Sequence, residues 1–125
     1  MIISFSFGKL AFDVDAFLAS VGIDDRERYF SRTGPRTLFL AGEEEDTLTL
    51  SYEAIAALKT NCPILENNVK MLVSVTESPR LLFPGNGSTL ASFAGLSSGV
   101  KIFDLNAGCT GFVDALSLCF QYGLK

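Results

Sequence analysis

The sequence predicts an α/β chain with a mainly parallel sheet, and three observations carry that prediction. Short apolar and β-branched runs recur between stretches in which apolar residues return at helical spacing. One run, Met71 to Val75, is apolar apart from Ser74, the composition of a strand covered on both faces. Another, Val100 to Leu105, breaks at a turn of small residues and gives way directly to a helical pattern.

In chain order, Ile3, Phe5 and Phe7 alternate with Ser4 and Ser6, a period of two that predicts a first strand. Asp15 to Val21 follows as a short helix with Phe17, Leu18 and Val21 to one side, stopped by Gly22. The mixed charges of Asp24-Asp25-Arg26-Glu27-Arg28 read as a solvated loop. Thr37 to Leu40 is short and apolar and fits a strand or a buried loop equally. Gly42-Glu43-Glu44-Glu45-Asp46 is a solvent-facing turn, and its acids favour the helix N-terminus that comes next. That helix, Thr49 to Lys59, sets Leu50, Ala54, Ala57 and Leu58 on one face, carries Lys59 in its last turn and stops at Asn61-Cys62-Pro63.

After the strand Met71 to Val75, a loop runs through Phe83-Pro84 to a helix with Ser88 or Thr89 as N-cap and Gly95 as stop. The strand Val100 to Leu105 then leads into a helix whose Val113, Leu116, Leu118 and Phe120 point in several directions. That is the pattern of a helix buried on most sides.

Bulk properties bound the function. At 125 residues the chain is one domain at most. Its net charge of −4, without a basic cluster, argues against nucleic acid or an anionic membrane surface as partner. No apolar run approaches the roughly 18 residues of a membrane span, and the N-terminus lacks the basic region of a secretory signal. A 48% apolar content and a mean hydropathy of +0.33 suit part of a larger buried core better than an isolated small domain. Three cysteines, Cys62, Cys109 and Cys119, lack metal-ligand spacing, and there is no histidine to form a zinc site or a Cys–His pair. A reduced, cytoplasmic setting is the simplest reading.

Cys109 is the candidate nucleophile. It stands where the strand Val100 to Leu105 hands over to a helix, and amides in a first helical turn lack intrahelical partners and carry partial positive charge. A thiol placed there is favoured as thiolate, the form that attacks acyl groups. Ala107, Gly108 and Gly111 leave room for a substrate carbonyl and for close packing, and the Cys109 N–H is placed to hold an oxyanion. The competing reading of the same residue is a small buried hydrophobe at a turn.

The stretch Phe103-Asp104-Leu105-Asn106-Ala107-Gly108-Cys109-Thr110-Gly111-Phe112 resembles the nucleophile region of the β-ketoacyl-acyl-carrier-protein synthase III family, in the thiolase superfamily. Upstream, Leu82-Phe83-Pro84 resembles a family Phe-Pro pair that follows the second core strand, and Arg32-Thr33-Gly34-Pro35-Arg36 resembles the family's Arg-Thr-Gly-Ile-Arg. Together they cover the chain from about Asp15 onward.

The resemblance implies a thiolase-like α/β fold, here a partial N-terminal half with the Cys109 helix buried between two sheets. It implies a two-stage acyl transfer in which Cys109 takes an acyl group from a thioester and the acyl-enzyme condenses with a decarboxylating malonyl carrier protein. Residues 1–125 would then be the N-terminal fragment of a condensing enzyme, because the family's second-stage His and Asn lie well after the Cys and this chain has no His. As a fragment it is expected not to condense anything alone. Arg32 falls on a family arginine that meets the adenine of coenzyme A, whereas Arg28 stands where the family usually has Trp, so acyl-coenzyme A and acyl carrier protein both stay open as donors. Phe83 would project across a dimer interface to shape the partner's acyl pocket, with ordinary core packing as its alternative. No permanently bound cofactor and no metal is implied. The expected partners are acyl carrier protein and a second copy of the chain, in fatty-acid or polyketide synthesis.

Two other function classes remain. Ala107-Gly108-Cys109-Thr110-Gly111 resembles a nucleophile elbow with Ala for its first Gly, which would suit a Cys-nucleophile hydrolase. A non-catalytic interaction module on the same fold would bury Cys109 instead.

Overall fold

The computed structural model describes residues 4–62 and 68–122. The chain divides into two compact units, a smaller one spanning Phe7–Glu45 and a larger one combining the N-terminal residues up to Ser6 with Asp46 onward.

In the smaller unit, strand β1 (Leu10–Asp13) leads into helix α1 (Val14–Ser20), helix α2 (Arg26–Thr33) and strand β2 (Thr37–Leu40). β1 and β2 pair antiparallel, with Leu10 opposite Leu40 and Asp13 opposite Thr37. Asp13 caps α1 by accepting the Ala16 N–H at 3.0 Å, and Asp25 caps α2 through the Arg28 N–H at 3.3 Å. Val14, Leu18 and Phe30 form the buried cluster, with Phe12 packed against it.

Two expectations change here. The charge run is the cap and first turn of α2 rather than a loop, because Asp25 supplies the acceptor that the orphan amides need. On α1 it is Val14 and Leu18 that are buried, while Phe17 and Val21 are exposed; Gly22, at φ 75°, follows the C-cap residue Val21. Thr37–Leu40 resolves as a strand, and it is exposed along its length.

In the larger unit, helix α3 (Thr47–Asn61) precedes strand β3 (Met71–Val75), helix α4 (Asn86–Ala94), strand β4 (Lys101–Leu105) and helix α5 (Gly111–Tyr122). β3 and β4 are parallel, in register from Met71–Lys101 to Val75–Leu105, with α4 as the crossover. The parallel pair is as expected, and the antiparallel pair of the smaller unit stands beside that expectation as a second, separate sheet. The core of this unit is Leu48, Leu90, Ala91, Ala94 and Val100.

The starts and stops follow from caps. α3 begins two residues earlier than its periodicity suggests, since Asp46 accepts the N–H groups of Leu48 and Thr49, each at 2.9 Å. Thr49 Oγ1 accepts the Asp46 N–H at 2.7 Å in return. The helix ends at Asn61 with Cys62 as C-cap; Pro63, the expected stop signal, lies outside the described residues. α4 has Gly85 as its N-cap rather than Ser88 or Thr89, and its C-cap Gly95 is in the left-handed region, φ 71°. Its missing cap comes from another element, as described below.

Two further expectations are corrected. Residues 4–8 form no strand, and Ile3 lies outside the described residues; Ser4 and Ser6 are half-buried while Phe5 and Phe7 are exposed. Ser6 Oγ donates instead to the Leu50 carbonyl at 2.8 Å. α5 is not enclosed: Phe112 is 70% and Phe120 64% exposed, and Val113 and Leu116 are open as well, because none of the described elements covers that face. β3 is likewise half-buried rather than covered on both sides.

Candidate functional site

β4 ends at Leu105, whose carbonyl accepts the Thr76 N–H at 3.1 Å and so carries the ladder one residue past β3. The chain then turns through Asn106 to Thr110 and enters α5. The turn closes by the Gly111 N–H donating to the Gly108 carbonyl at 2.9 Å and the Asp114 N–H to the Thr110 carbonyl at 3.0 Å. Thr110 Oγ1 donates to Asp114 Oδ2 at 3.1 Å. Cys109 lies within this turn, and it is exposed. The buried-hydrophobe reading of Cys109 therefore does not describe this chain.

Two glycines set the turn. A Cβ at Gly111 would stand 2.5 Å from Val75 Cγ1 and 3.3 Å from the Ala107 Cβ, so the start of α5 lies directly on β3 only because residue 111 has no side chain. A Cβ at Gly108 would stand 2.3 Å from Glu77 Oε1, so a carboxylate from the loop after β3 occupies the space beside the residue preceding Cys109.

That loop is fixed at several points. Thr47 Oγ1 donates to the Ser78 carbonyl at 3.0 Å, and the Ser78 N–H donates to Thr76 Oγ1 at 3.1 Å. Arg80 forms an ion pair with Asp46. Asn86, only 2% exposed, donates through Nδ2 to Thr47 Oγ1 at 3.4 Å and accepts the Leu81 N–H at 3.5 Å. The tip is the opposite: Leu82 is 87% and Phe83 95% exposed, and the Phe83–Pro84 peptide bond is cis. Phe83 is thus not core of this chain.

Asp104 on β4 supplies the cap that α4 lacks. Its Oδ1 accepts the Gly87 N–H at 2.7 Å, and a Cβ on Gly85 or Gly87 would strike the same carboxylate. The Gly-Asn-Gly opening reads in sequence as a weak helix start, but it makes room for an acid from a neighbouring strand. The sequence offers no direct signal for this, nor for Glu77, since both depend on contacts between separate segments. A cavity of about 200 Å³ lies at the C-terminal ends of β3 and β4, lined by Ser74, Thr76, Leu81, Leu82, Asp104 and Asn106 among others. Cys109 is not among its lining residues.

Arg28 and Arg32 belong to the smaller unit. They stand four residues apart on α2 and so share a face, both exposed. The flanking arginines are engaged: Arg26 pairs with Asp15 at 3.6 Å, and Arg36 pairs with Glu27 at 2.9 Å while lying over the Phe30 ring. The structure thus brings Arg28 and Arg32 together on one helix and places Cys109 and Phe83 in the other unit.

Cys62 and Cys119 are half-buried, and Cys119 Sγ is 4.0 Å from Met71 Sδ. Among the described residues there is no group of three or more His, Cys, Asp or Glu that could hold a metal ion. No described helix is long and apolar enough to cross a membrane.

No family model matches the chain. Among curated proteins it is 32% identical over 101 residues to a beta-ketoacyl-[acyl-carrier-protein] synthase III of Thiobacillus denitrificans, covering 80% of this chain and 32% of that protein. It is 35% identical over 92 residues to the protein of the same name from Xylella fastidiosa, covering 74% of this chain and 28% of that one. Among solved structures, a beta-ketoacyl-acyl-carrier-protein synthase III from Thermus thermophilus superposes with a TM-score of 0.79 at 24% identity, over 95% of this chain and 36% of that one. The fold is that of the thiolase-like condensing enzymes. The chain spans about a third of the length of the curated relatives it matches.

Proposed function

The chain belongs to the β-ketoacyl-acyl-carrier-protein synthase III family, and we propose that it carries the acyl-accepting part of such a condensing enzyme. The observation that carries this reading is the exposed Cys109 in the turn that joins the C-terminal end of β4 to the first turn of α5.

In the first stage Cys109 Sγ attacks the carbonyl carbon of an acyl thioester. The new S–C bond forms, the bond to the carrier sulfur breaks, and the thiol proton ends on the departing carrier thiol. On this reading the Cys109 N–H holds the tetrahedral oxyanion. In the second stage a malonyl thioester loses carbon dioxide, and its carbanion carbon attacks the acyl group on Cys109. That step forms the carbon–carbon bond and returns the sulfur, which regains a proton. The chain contains no histidine, so the groups that assist decarboxylation in the family are not supplied by these 125 residues. Residues 1–125 are thus read as an incomplete N-terminal domain.

The remaining assignments follow the same reading. Arg28 and Arg32 meet the phosphate-bearing arm or carrier of the donor, which is coenzyme A or acyl carrier protein. Phe83, held out at the tip of an anchored loop, reaches a second copy of the chain and walls its acyl pocket.

The test is selective labelling. Limiting iodoacetamide, followed by peptide mass mapping, is expected to modify Cys109 at least several-fold faster than Cys62 or Cys119. An acyl thioester donor is expected to leave an acyl mass on Cys109 and no condensation product. Equal labelling of the three thiols removes Cys109 as nucleophile, and condensation by the purified chain overturns the reading of residues 1–125 as an incomplete domain.

A further inference from the structure

Glu77 is used by none of these steps, yet its carboxylate stands against the backbone of the residue before Cys109. A Cβ at Gly108 would come within 2.3 Å of Glu77 Oε1 and 3.2 Å of its Cδ, and consecutive α-carbons lie about 3.8 Å apart. The carboxylate is not there by the wandering of a loop. Thr76 before it is tied to the Leu105 carbonyl at 3.1 Å, and the Ser78 carbonyl after it is held by Thr47 at 3.0 Å.

Of the cations on the surrounding elements, Arg80 on the same loop is paired with Asp46, and Lys101 stands at the opposite end of β4 from the turn, over the Tyr122 ring. Asp114 on α5 accepts Thr110 Oγ1, and Asp104 on β4 is turned to the amide of Gly87. Among the described residues Glu77 forms no ion pair, and its carboxylate stands beside the turn without a neutralising partner.

We infer that Glu77 is a specificity-determining residue that sets charge selection at Cys109, favouring acyl donors whose acyl group is uncharged. The inference rests on Cys109 being the acyl acceptor. Its chemical sense lies in the two stages: the second-stage substrate carries a carboxylate next to its thioester, and a negative charge beside the residue that precedes Cys109 disfavours that molecule as the first-stage donor. A neutral acyl chain meets no such penalty. Like charges a few ångströms apart across solvent weaken encounter modestly and in proportion to salt screening.

The experiment compares two alkylating agents of similar size, neutral iodoacetamide and anionic iodoacetate, at Cys109 in the purified protein, read by peptide mass mapping at low ionic strength. The ratio of the two rates cancels any change in thiolate fraction, which a merely structural role would move. Glu77→Gln is expected to raise the iodoacetate-to-iodoacetamide ratio about threefold, and Glu77→Lys to raise it further. Glu77→Asp is expected to keep the ratio near that of the unaltered protein, and 0.5 M salt to narrow the differences. Cys62 and Cys119 serve as internal references whose ratios stay fixed. If Cys109 is the fast thiol but its ratio is the same in all four proteins, Glu77 has no such role and the nucleophile reading survives. If Cys109 is no faster than the reference thiols with iodoacetamide, the nucleophile reading fails and this inference with it.

Discussion

At the scale of single residues, the turn that presents Cys109 depends on what its neighbours lack. Gly111 begins α5 against Val75, a β-branched side chain with little rotational freedom to retreat. A methyl group there meets Cγ1 at 2.5 Å, and the helix start or the strand has to move. Gly111→Ala is therefore expected to cost about 1–3 kcal/mol, the range of overpacked sites, measured as a fall in the urea midpoint. Because the displaced turn is the one that holds Cys109, labelling of Cys109 is expected to change in the same variant while that of Cys62 does not.

How legible these residues were in the sequence varies with the range of their contacts. Cys109, at a strand-to-helix junction made by adjacent residues, could be read directly. Asp104 and Glu77 could not, because one caps a helix seventeen positions back and the other meets a glycine from a different loop.

At the scale of elements, α3 shows how a cap and a tertiary contact combine. Asp46 accepts two helix amides and pairs with Arg80 on the loop after β3. Its carboxyl is held below the usual range chiefly by the Thr49 amide, with Arg80 adding to the effect against the cost of partial burial. In the smaller unit Glu45 is lowered in the same way, first by the Gly42 amide and then by the Lys9 amide, at 2.9 Å each.

A carboxylate whose folded pKa lies below its unfolded value adds stability at all pH above the unfolded value, about 4. That stability is lost as the pH falls through the folded value. Denaturant midpoints are thus expected to hold from neutral pH to about pH 5 and to drop on further acidification. Asp46→Ala is expected to cost about 1 kcal/mol at pH 7 and to flatten that acid slope; an unchanged slope would show that Asp46 is not a source of it.

The elements also divide by legibility. α3, β3 and β4 have strong periodic signals and lie close to their expected bounds, whereas α2 is masked by a charge run whose Asp25 is in fact a cap. The serine and phenylalanine alternation of residues 4–7 has the period of a strand, but residues 4–8 form none.

At the scale of the whole molecule, the composition asks for more burial than this chain provides. Phe112, Leu116 and Phe120 repeat every four residues and form an open apolar stripe along α5. The spread of Val113, Leu116, Leu118 and Phe120 around α5 predicts a helix enclosed on most sides, and the discrepancy has a physical source: hydropathy reports the environment for which a helix is suited, not whether that environment lies within the same 125 residues. An open stripe of this kind is expected to bind an apolar dye and to promote self-association. Sedimentation velocity is expected to show species larger than the 13.5 kDa monomer, and replacing Phe112 and Phe120 together by Ser is expected to shift the distribution toward the monomer and reduce dye binding. A monomer with no dye binding before substitution would show that the stripe is covered in solution.

The antiparallel pairing of β1 with β2 has a consequence for the chain's construction. Leu10 lies across from Leu40, so the segment between them, residues 11–39, leaves and returns to points about 5 Å apart, the spacing of neighbouring strands. Such a segment is topologically a side branch: it can be shortened, enlarged or exchanged for a tight hairpin without asking the flanking backbone to span a new gap. Variation in the arginine-bearing helix and variation in the sulfur-bearing turn can then accumulate independently, each edited without rewriting the path of the other.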